Sequence, residues 1–154
     1  VGGYDFISDT FVSRDGDLRD SDAQDPGDWT LANDCAAGSA PTNSSWHGTH
    51  TSGTIAALTN NGIGVAGVAF NARVLPVRVL GRCGGFTSDI ADGLVWASGG
   101  TVAGVPANPN PAKVANLSLG GTGAVGIAAD FLAHNRGVVD LDALDDTATA
   151  NDDG

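Results

Sequence analysis

The chain has 154 residues, of which 42% are hydrophobic, and these figures are typical of one globular domain with a sizeable core. Eighteen acidic residues against seven basic ones give a net charge of −11. This balance argues against a nucleic-acid partner and an anionic membrane surface, because both need Lys and Arg. No apolar run approaches the roughly 20 residues that cross a bilayer, and no signal-peptide pattern occurs. The acidic residues serve either solubility or calcium binding.

Residues 1–45 are rich in Asp, Gly, Ser and Pro, and within them only residues 1–7 have the pattern of a short strand. The remainder predicts a surface loop long enough to need something that holds it together. Its segment 15–22 offers carboxylate oxygens, which hard cations prefer, although the spacing is not that of an EF-hand. The alternative is a solvated acidic turn. The candidate calcium ligands are Asp15, Asp17, Asp20 and Asp22.

The pattern changes near residue 46, where a helix is predicted over residues 47–58 with Ser44 or Ser45 as its cap. Small side chains recur along it at a spacing of four, which predicts a helix buried close against another backbone. A β-rich apolar strand is predicted over residues 73–80.

Helices and apolar strands continue to alternate after residue 86. Thr87 or Ser88 is the predicted cap of a second long helix, which ends at Gly99-Gly100. The remaining predicted elements are a buried strand at 114–119, a helix at 125–135 and a strand from 138. This alternation is typical of an α/β fold, a parallel sheet with helices on both faces.

Residues 47–50 read His-Gly-Thr-His at the predicted start of the first long helix. A histidine at a helix N-terminus faces the positive end of the helix dipole, which disfavours imidazolium and suits a general base. Gly48 leaves open space beside that ring. His47 is therefore the candidate catalytic base, with a capping or core histidine as the alternative. A metal site of His47 and His50 is a further alternative, but it lacks a third ligand nearby.

Four segments, in this order, resemble the subtilisin-like serine proteases. Residues 47–53 resemble the histidine box of that family, and residues 56–68 resemble the loop that follows it. Residues 77–81 resemble the next strand, and residues 116–121 resemble the strand that lines the specificity pocket. The chain is identified as a member of this family. Its acidic loop and cysteine positions are most similar to those of secreted alkaline serine proteases of Gram-negative bacteria.

The resemblance implies peptide-bond hydrolysis by acyl transfer through a Ser-His-Asp triad, with a protein or peptide as substrate. His47 would take the proton of the serine hydroxyl and return it to the leaving amine. The substrate would lie between two strands, whose small residues let another backbone approach. An ordinary turn is the alternative for each glycine. The implied substrate-binding residues are Leu80, Gly84, Gly85 and Phe86 on one side and Ser118, Leu119 and Gly120 on the other.

The other two catalytic motifs of the family do not occur in this sequence. The aspartate box, an apolar strand ending in Asp-Ser/Thr-Gly, is expected before residue 1. The serine box, Gly-Thr-Ser-Met-Ala, is expected after residue 154, and the sequence contains no methionine. We therefore expect a partial domain that is inactive alone and depends on a second chain or segment for the catalytic serine.

The tail departs from the family pattern after Val139. The family continues with an apolar strand and Ala-Gly-Asn, whose asparagine helps to form the oxyanion hole. This chain has an acidic stretch at residues 140–146, with Asp146 at the asparagine position. A carboxylate there would repel the developing oxyanion, and loss of one donor alone costs about 3–4 kcal/mol. We assign Asp146 no catalytic role.

The sequence has two cysteines, Cys35 and Cys83, in Gly-rich contexts without metal-ligand spacing. A disulfide formed in an oxidising compartment is the preferred interpretation, and two free thiols are the alternative. The disulfide would tie the acidic loop to the substrate-binding loop of a secreted, extracellular protein. The family resemblance supports calcium in residues 15–22, and residues 61–65 resemble a second family calcium site.

The predicted domain has three parts: a calcium loop region at 1–45, a core at 46–139 and a divergent tail at 140–154. Its predicted function is that of a serine endopeptidase, to which this chain supplies the histidine and part of the cleft. One alternative is a catalytically inactive, calcium-stabilised fragment that binds peptides. Another is a structural acidic domain, which would need neither His-Gly-Thr-His nor Ser-Leu-Gly-Gly.

Overall fold

The structure, a computed structural model, describes residues 2–120 and 138–139. The chain divides into two compact units, Val1–Gly85 and Phe86–Gly154. Each unit contains a pair of short parallel strands, and helices lie between strands along the chain. The expected α/β fold with parallel strands is therefore confirmed for a partial domain. The helix predicted over residues 125–135 lies outside the described residues.

The first unit is built on β1, Tyr4–Asp5, which pairs in parallel with β2, Val77–Arg78. Both strands are shorter than their apolar runs predicted, which were residues 1–7 and 73–80. Pro76 has no backbone N–H to donate at the entry to β2, and this limits the ladder at that end.

The core of the first unit lies beside β1, where Phe6 and Ile7 are fully buried. The short helix α1, Thr10–Ser13, follows, and the carboxylate of its N-cap Asp9 accepts hydrogen bonds from two backbone amides of its first turn. The sequence predicted loop here, because four residues are too few to show a helical period.

Helix α2, His47–Ala56, begins where the sequence predicted and ends two residues earlier. Its N-cap is Trp46, in the left-handed region with φ 52°, and Trp46 makes no side-chain capping hydrogen bond. The predicted cap by Ser44 or Ser45 is therefore wrong. None of the ten residues of α2, all within the described part of the chain, is buried, so the predicted buried helix is also wrong.

The second unit contains α3, Thr87–Ala97, whose N-cap is Phe86 without a side-chain capping bond. The predicted cap at Thr87 or Ser88 is wrong, because both residues are already helical. The helix buries Ile90, Leu94 and Trp96 and ends before Gly99, which has a left-handed φ of 92°. That end confirms the predicted stop, since glycine adopts this conformation at no steric cost.

The strand pair of the second unit is β3, Val114–Ala115, which lies parallel to β4, Val138–Val139. The sequence predicted a buried strand over residues 114–119. Val114 is instead 63% exposed, whereas Leu117, beyond the strand, is buried. No helix within residues 2–120 has both the length and the apolar character needed to cross a membrane.

Candidate active site

His47 is the first residue of α2, and its side chain is exposed. The N–H groups of the first helical turn, which have no partner within a helix, point toward this end and give it positive character. A Cβ added to the following residue, Gly48, would meet no atom within 4 Å. The predicted general base thus lies at a helix N-terminus beside open space, as a base that receives a proton from an approaching group requires.

An acidic residue that the sequence did not single out, Asp28, is hydrogen-bonded to the segment just before α2. The carboxylate of Asp28 accepts a hydrogen bond from the Ser45 amide at 2.6 Å and one from the Ser45 hydroxyl at 2.7 Å. The Ser45 hydroxyl oxygen accepts in turn from the backbone N–H of His47 at 3.3 Å. Ser45 therefore supports the start of α2 through this bond, although it is not the N-cap residue as predicted.

His50 lies one turn after His47 on α2, and its backbone carbonyl accepts a hydrogen bond from Thr54. A metal site would need a third ligand close to these two imidazoles. Within residues 2–120, no three His, Cys, Asp or Glu side chains are grouped so that they could hold a metal ion. The described residues therefore do not support a metal site at His47 and His50.

The acidic loop is held by a protein cation, Arg78 of β2. Its guanidinium donates to the carboxylates of Asp5 and Asp15 and to the carbonyl oxygen of Ser13. Burial raises the pKa of Asp15, but the bonds from Ser13 and Asp17 and the charge of Arg78 outweigh it and lower the pKa to about 2. Asp15 is thus an anion paired with arginine.

The other predicted calcium ligands bind local groups. Asp20 and Asp22 each accept a hydrogen bond from the backbone amide two residues later, at 2.7 and 3.0 Å. Burial, together with the charges of Asp20 and Asp15, raises the pKa of Asp17. Within the part of the chain that the structure describes, no three acidic, His or Cys side chains form a group that could hold a metal ion, so the structure shows no calcium site in this loop. We assign calcium no step in the chemistry.

The loop that resembles a second calcium site, residues 61–65, lies along an open pocket of about 190 Å³ lined by residues 58–66. The side-chain oxygen of Asn61 accepts from the amide of Ile63 at 3.0 Å. This contact is an Asx turn within the loop.

The segment predicted to form one wall of the substrate cleft is a tight loop. Gly81 and Gly84 form an antiparallel bridge. Cys83, in the turn between them, has a left-handed φ of 66°, and Gly84 itself has a φ of 104°. A Cβ on Gly85 would collide with the carbonyl of Val79. Both predicted glycines therefore have a conformational reason to be glycine, whatever else they contact. Leu80, also in this segment, is 37% exposed.

The disulfide between Cys35 and Cys83 is confirmed, with a Cα–Cα distance of 5.3 Å, and the free-thiol alternative is wrong. Arg82 strengthens the same connection. Its backbone amide donates to the Val12 carbonyl at 2.9 Å, and its guanidinium lies 3.5 Å from Asp34. The loop that carries Gly84 is thus fixed to two other segments of the first unit.

The remaining predicted substrate-binding residues belong to the second unit. Phe86 is 48% exposed at the start of α3, and Ser118 and Gly120 are exposed after β3. The Ser118 hydroxyl contacts the side-chain amide of Asn116 at 3.0 Å, and the Leu119 amide donates to the Leu117 carbonyl at 2.7 Å. Asp146 lies outside the described residues.

Comparison with known proteins decides the family. The family model of Peptidase_S8, the subtilase family, matches residues 7–151. The chain belongs to the subtilase family. Its secondary structure also superimposes on a protease from Pseudoalteromonas arctica PAMC 21717 with a TM-score of 0.84 and 57% identity, covering 90% of this chain and 42% of that one. The subtilisin-like fold expected from the four motifs is thus confirmed.

Two relatives are similar in sequence to this chain over most of its length. An extracellular protease of Xanthomonas campestris pv. campestris is 65% identical over 123 residues, which is 80% of this chain. An extracellular basic protease of Dichelobacter nodosus is 58% identical over 125 residues, which is 79% of this chain. The chain spans 21% of the length of each of these two subtilase relatives.

Proposed function

We propose that this chain is the histidine-bearing part of a serine endopeptidase that hydrolyses peptide bonds in proteins. The observation that carries the proposal is His47, exposed at the N-terminus of α2 in a chain of the subtilase family. Two relatives that share most of the chain are named as proteases, which supports the same reaction class here.

In the proposed reaction, the neutral imidazole of His47 accepts the proton of a serine hydroxyl as the serine oxygen attacks the scissile carbonyl carbon. The imidazolium then returns that proton to the leaving amine, and an acyl-enzyme forms. Water repeats the sequence, with His47 again as the base, and releases the acid. The serine and the aspartate that orients the ring come from a second chain or from a further segment of the same protein.

The proposed substrate is a polypeptide that binds in an extended conformation. Gly84 and Gly85 of the first unit would pair with its backbone, and Leu80 and Phe86 would contact its side chains. Ser118, Leu119 and Gly120 of the second unit would also pair with a peptide backbone, by analogy with strand addition at a sheet edge. The exposure of Ser118 and Gly120 supports such a role, because an edge must be free to accept a new strand.

We place the protein outside the cell. Two relatives are named extracellular, and the Cys35–Cys83 disulfide fits an oxidising compartment. A net charge of −11 favours solubility there.

A pair of histidine variants tests the catalytic role. In the active protease that contains this chain, we expect His47→Ala to lower kcat/KM by about 10⁴- to 10⁶-fold, because the triad acts as a unit. His50→Ala, a matched change one turn along the same exposed helix, is expected to retain activity within about threefold. Equal losses in both variants would mean that the change disturbs α2 as a whole and that His47 has no special role.

Calcium binding by the acidic loop stays a prediction that the family resemblance supports. A calcium site would raise the free energy of unfolding by about 2.7 kcal/mol at 100 times its dissociation constant. Urea unfolding with calcium and with a chelator measures that difference. The Asp20→Asn variant shows whether any effect arises in this loop, and an effect that survives Asp20→Asn arises elsewhere.

A further inference from the structure

We propose that Asp28 is a positioning residue, which fixes the N-terminus of α2 and whose negative charge acts on His47. The proposal rests on the proposed function, in which His47 is the general base. Neither the subtilase motifs quoted above nor the sequence spacing assigns Asp28 a role. It precedes Ser45 by 17 residues.

A continuous chain of hydrogen bonds runs from Asp28 to the helix. Both carboxylate oxygens of Asp28 are used, one by the Ser45 amide and one by the Ser45 hydroxyl. The hydroxyl oxygen then accepts from the His47 amide. Bonds to an ionised carboxylate are about twice as strong as neutral ones. Because Trp46, the N-cap, provides no side-chain cap, this chain takes over the capping role.

The turn that carries Asp28 packs closely against this segment. Gly27 is buried with a φ of 106°, which strongly favours glycine. A Cβ on Gly27 would lie 2.5 Å from the Ser44 hydroxyl oxygen and 3.4 Å from the Trp46 ring. The carboxylate of Asp25 accepts from the Gly27 amide at 2.8 Å and holds the turn closed. Asp28 is therefore delivered to Ser45 by a constrained turn.

Asp28 and His47 also interact electrostatically. Burial raises the pKa of Asp28, but the hydrogen bonds from Ser45 and from its own backbone amide, and the charge of His47, outweigh burial and lower it. Asp28 is thus an anion, and its charge interacts with that of His47. Asp25 lies on the same turn as Asp28, and His50 lies on the same helix as His47.

A chemical-modification experiment on the full chain tests this role without requiring catalysis. Diethyl pyrocarbonate acylates neutral imidazoles, and peptide mass mapping reports His47 and His50 separately across a pH series. Asp28→Asn keeps an acceptor oxygen and removes the charge. We expect it to move the midpoint of the His47 reaction about 0.3 to 0.7 pH unit lower, with the His50 midpoint unchanged.

Two further variants separate charge from structure. Ser45→Ala keeps the Asp28 charge and breaks the hydrogen-bond chain, so we expect a smaller midpoint shift but about tenfold faster amide exchange at His47. Asp22→Asn is the matched control, because Asp22 is an exposed carboxylate with one local amide partner, the Gln24 N–H. We expect Asp22→Asn to leave the reaction midpoints of His47 and His50 unchanged.

Two results would overturn the proposal: an unchanged His47 midpoint in Asp28→Asn, or an equal shift at His47 and His50. Either result leaves the proposed catalytic role intact, because the comparison of His47→Ala with His50→Ala is a separate measurement. If Asp28→Asn fails to fold, unchanged amide exchange at His47 in Ser45→Ala overturns the proposal by itself. Full activity of His47→Ala would instead overturn the proposed function, whatever the modification experiment shows.

Discussion

Two regions of the first unit contrast in how their apolar side chains are used. Beside β1, Phe6 and Ile7 are fully buried, and the charged Asp5 among them is paired with Arg78. Along the segment after α2, Leu58, Ile63 and Val68 are 71%, 77% and 86% exposed. Both segments are rich in hydrophobic residues, but only the first has its partners within the described part of the chain.

The buried side chains beside β1 stabilise the unit, whereas the exposed ones after α2 lie on its surface. Fully burying a large apolar side chain contributes about 1.5–3 kcal/mol, so the β1 region is where folding energy is concentrated. The exposed apolar side chains lie in the segment that follows the helix carrying His47.

The sharpest test of the β1 region removes its buried cation. We expect Arg78→Met to lower the free energy of unfolding by about 3–5 kcal/mol, because Asp5 becomes a buried charge without its partner. Urea unfolding at neutral pH measures the loss. Arg73→Met is the matched control, since Arg73 is exposed, and it should stay within about 0.5 kcal/mol of wild type. Similar losses in both variants would contradict the account.

A pair of phenylalanines compares the two regions directly. Phe6 is fully buried and Phe70 is 50% exposed. Phe6→Ala is expected to cost about 3–5 kcal/mol, because it leaves a cavity in the core, and Phe70→Ala less than about 1 kcal/mol. Urea unfolding of each variant, compared with wild type, measures the two losses. If Phe70→Ala costs as much as Phe6→Ala, the second region is packed in solution and the contrast disappears.

The disulfide ties the loop that carries Gly84 to the acidic region, and it closes a sequence separation of 48 residues. Replacing both Cys35 and Cys83 with serine is expected to lower the free energy of unfolding by about 2–4 kcal/mol, through the greater freedom of the unfolded chain. The wild-type protein with a reductant is the comparison. Equal stability of the oxidised and reduced forms would show that the bond does not constrain the fold.

The smallest expected effect is a pH dependence that comes from Asp5. Burial raises its pKa to about 6, against bonds from Ile7 and Arg78 that lower it, whereas the ordinary value is 3.8. Between these two values the folded state binds more protons than the unfolded state, so stability falls as pH rises from about 4 to 6. We expect a decrease of about 1–3 kcal/mol in that window.

Urea unfolding at several pH values checks this sign, with Asp5→Asn as the control in which the decrease across this window should be smaller. Asp15 has the opposite effect on the pH dependence of stability, and it acts at lower pH. Its pKa of about 2 gives a contribution that is present above about pH 4 and lost as pH falls toward 2. A stability that rises steadily from pH 4 to 6 would contradict the value for Asp5.

Local signals in the sequence predicted those features whose causes are local. The start of α2 at His47 and the end of α3 before Gly99 follow from residues next to each boundary. The disulfide could be predicted because the sequence has two cysteines and both lie in loop contexts. The four motifs identified the family because each is a contiguous run of residues.

Features that join distant segments could not be predicted in the same way. Arg78 and Asp5 are 73 residues apart, and nothing near either residue indicates the other. Asp28 and Ser45 are 17 apart, in a stretch that the sequence describes only as loop. The rows of small residues on α2 predicted burial, but burial depends on a partner surface, which a helical pattern alone does not supply.

The most direct test of the central claim, that His47 serves a serine protease, is labelling with a fluorophosphonate followed by intact-mass analysis under denaturing conditions. The reagent labels serines whose hydroxyl is activated by an adjacent base, which in the proposed reaction is His47. In native material that contains this chain, we predict a labelled serine on a second polypeptide or on a larger one, and no labelling in His47→Ala. A single unlabelled species near 15.3 kDa, or labelling that persists in His47→Ala, would contradict the claim.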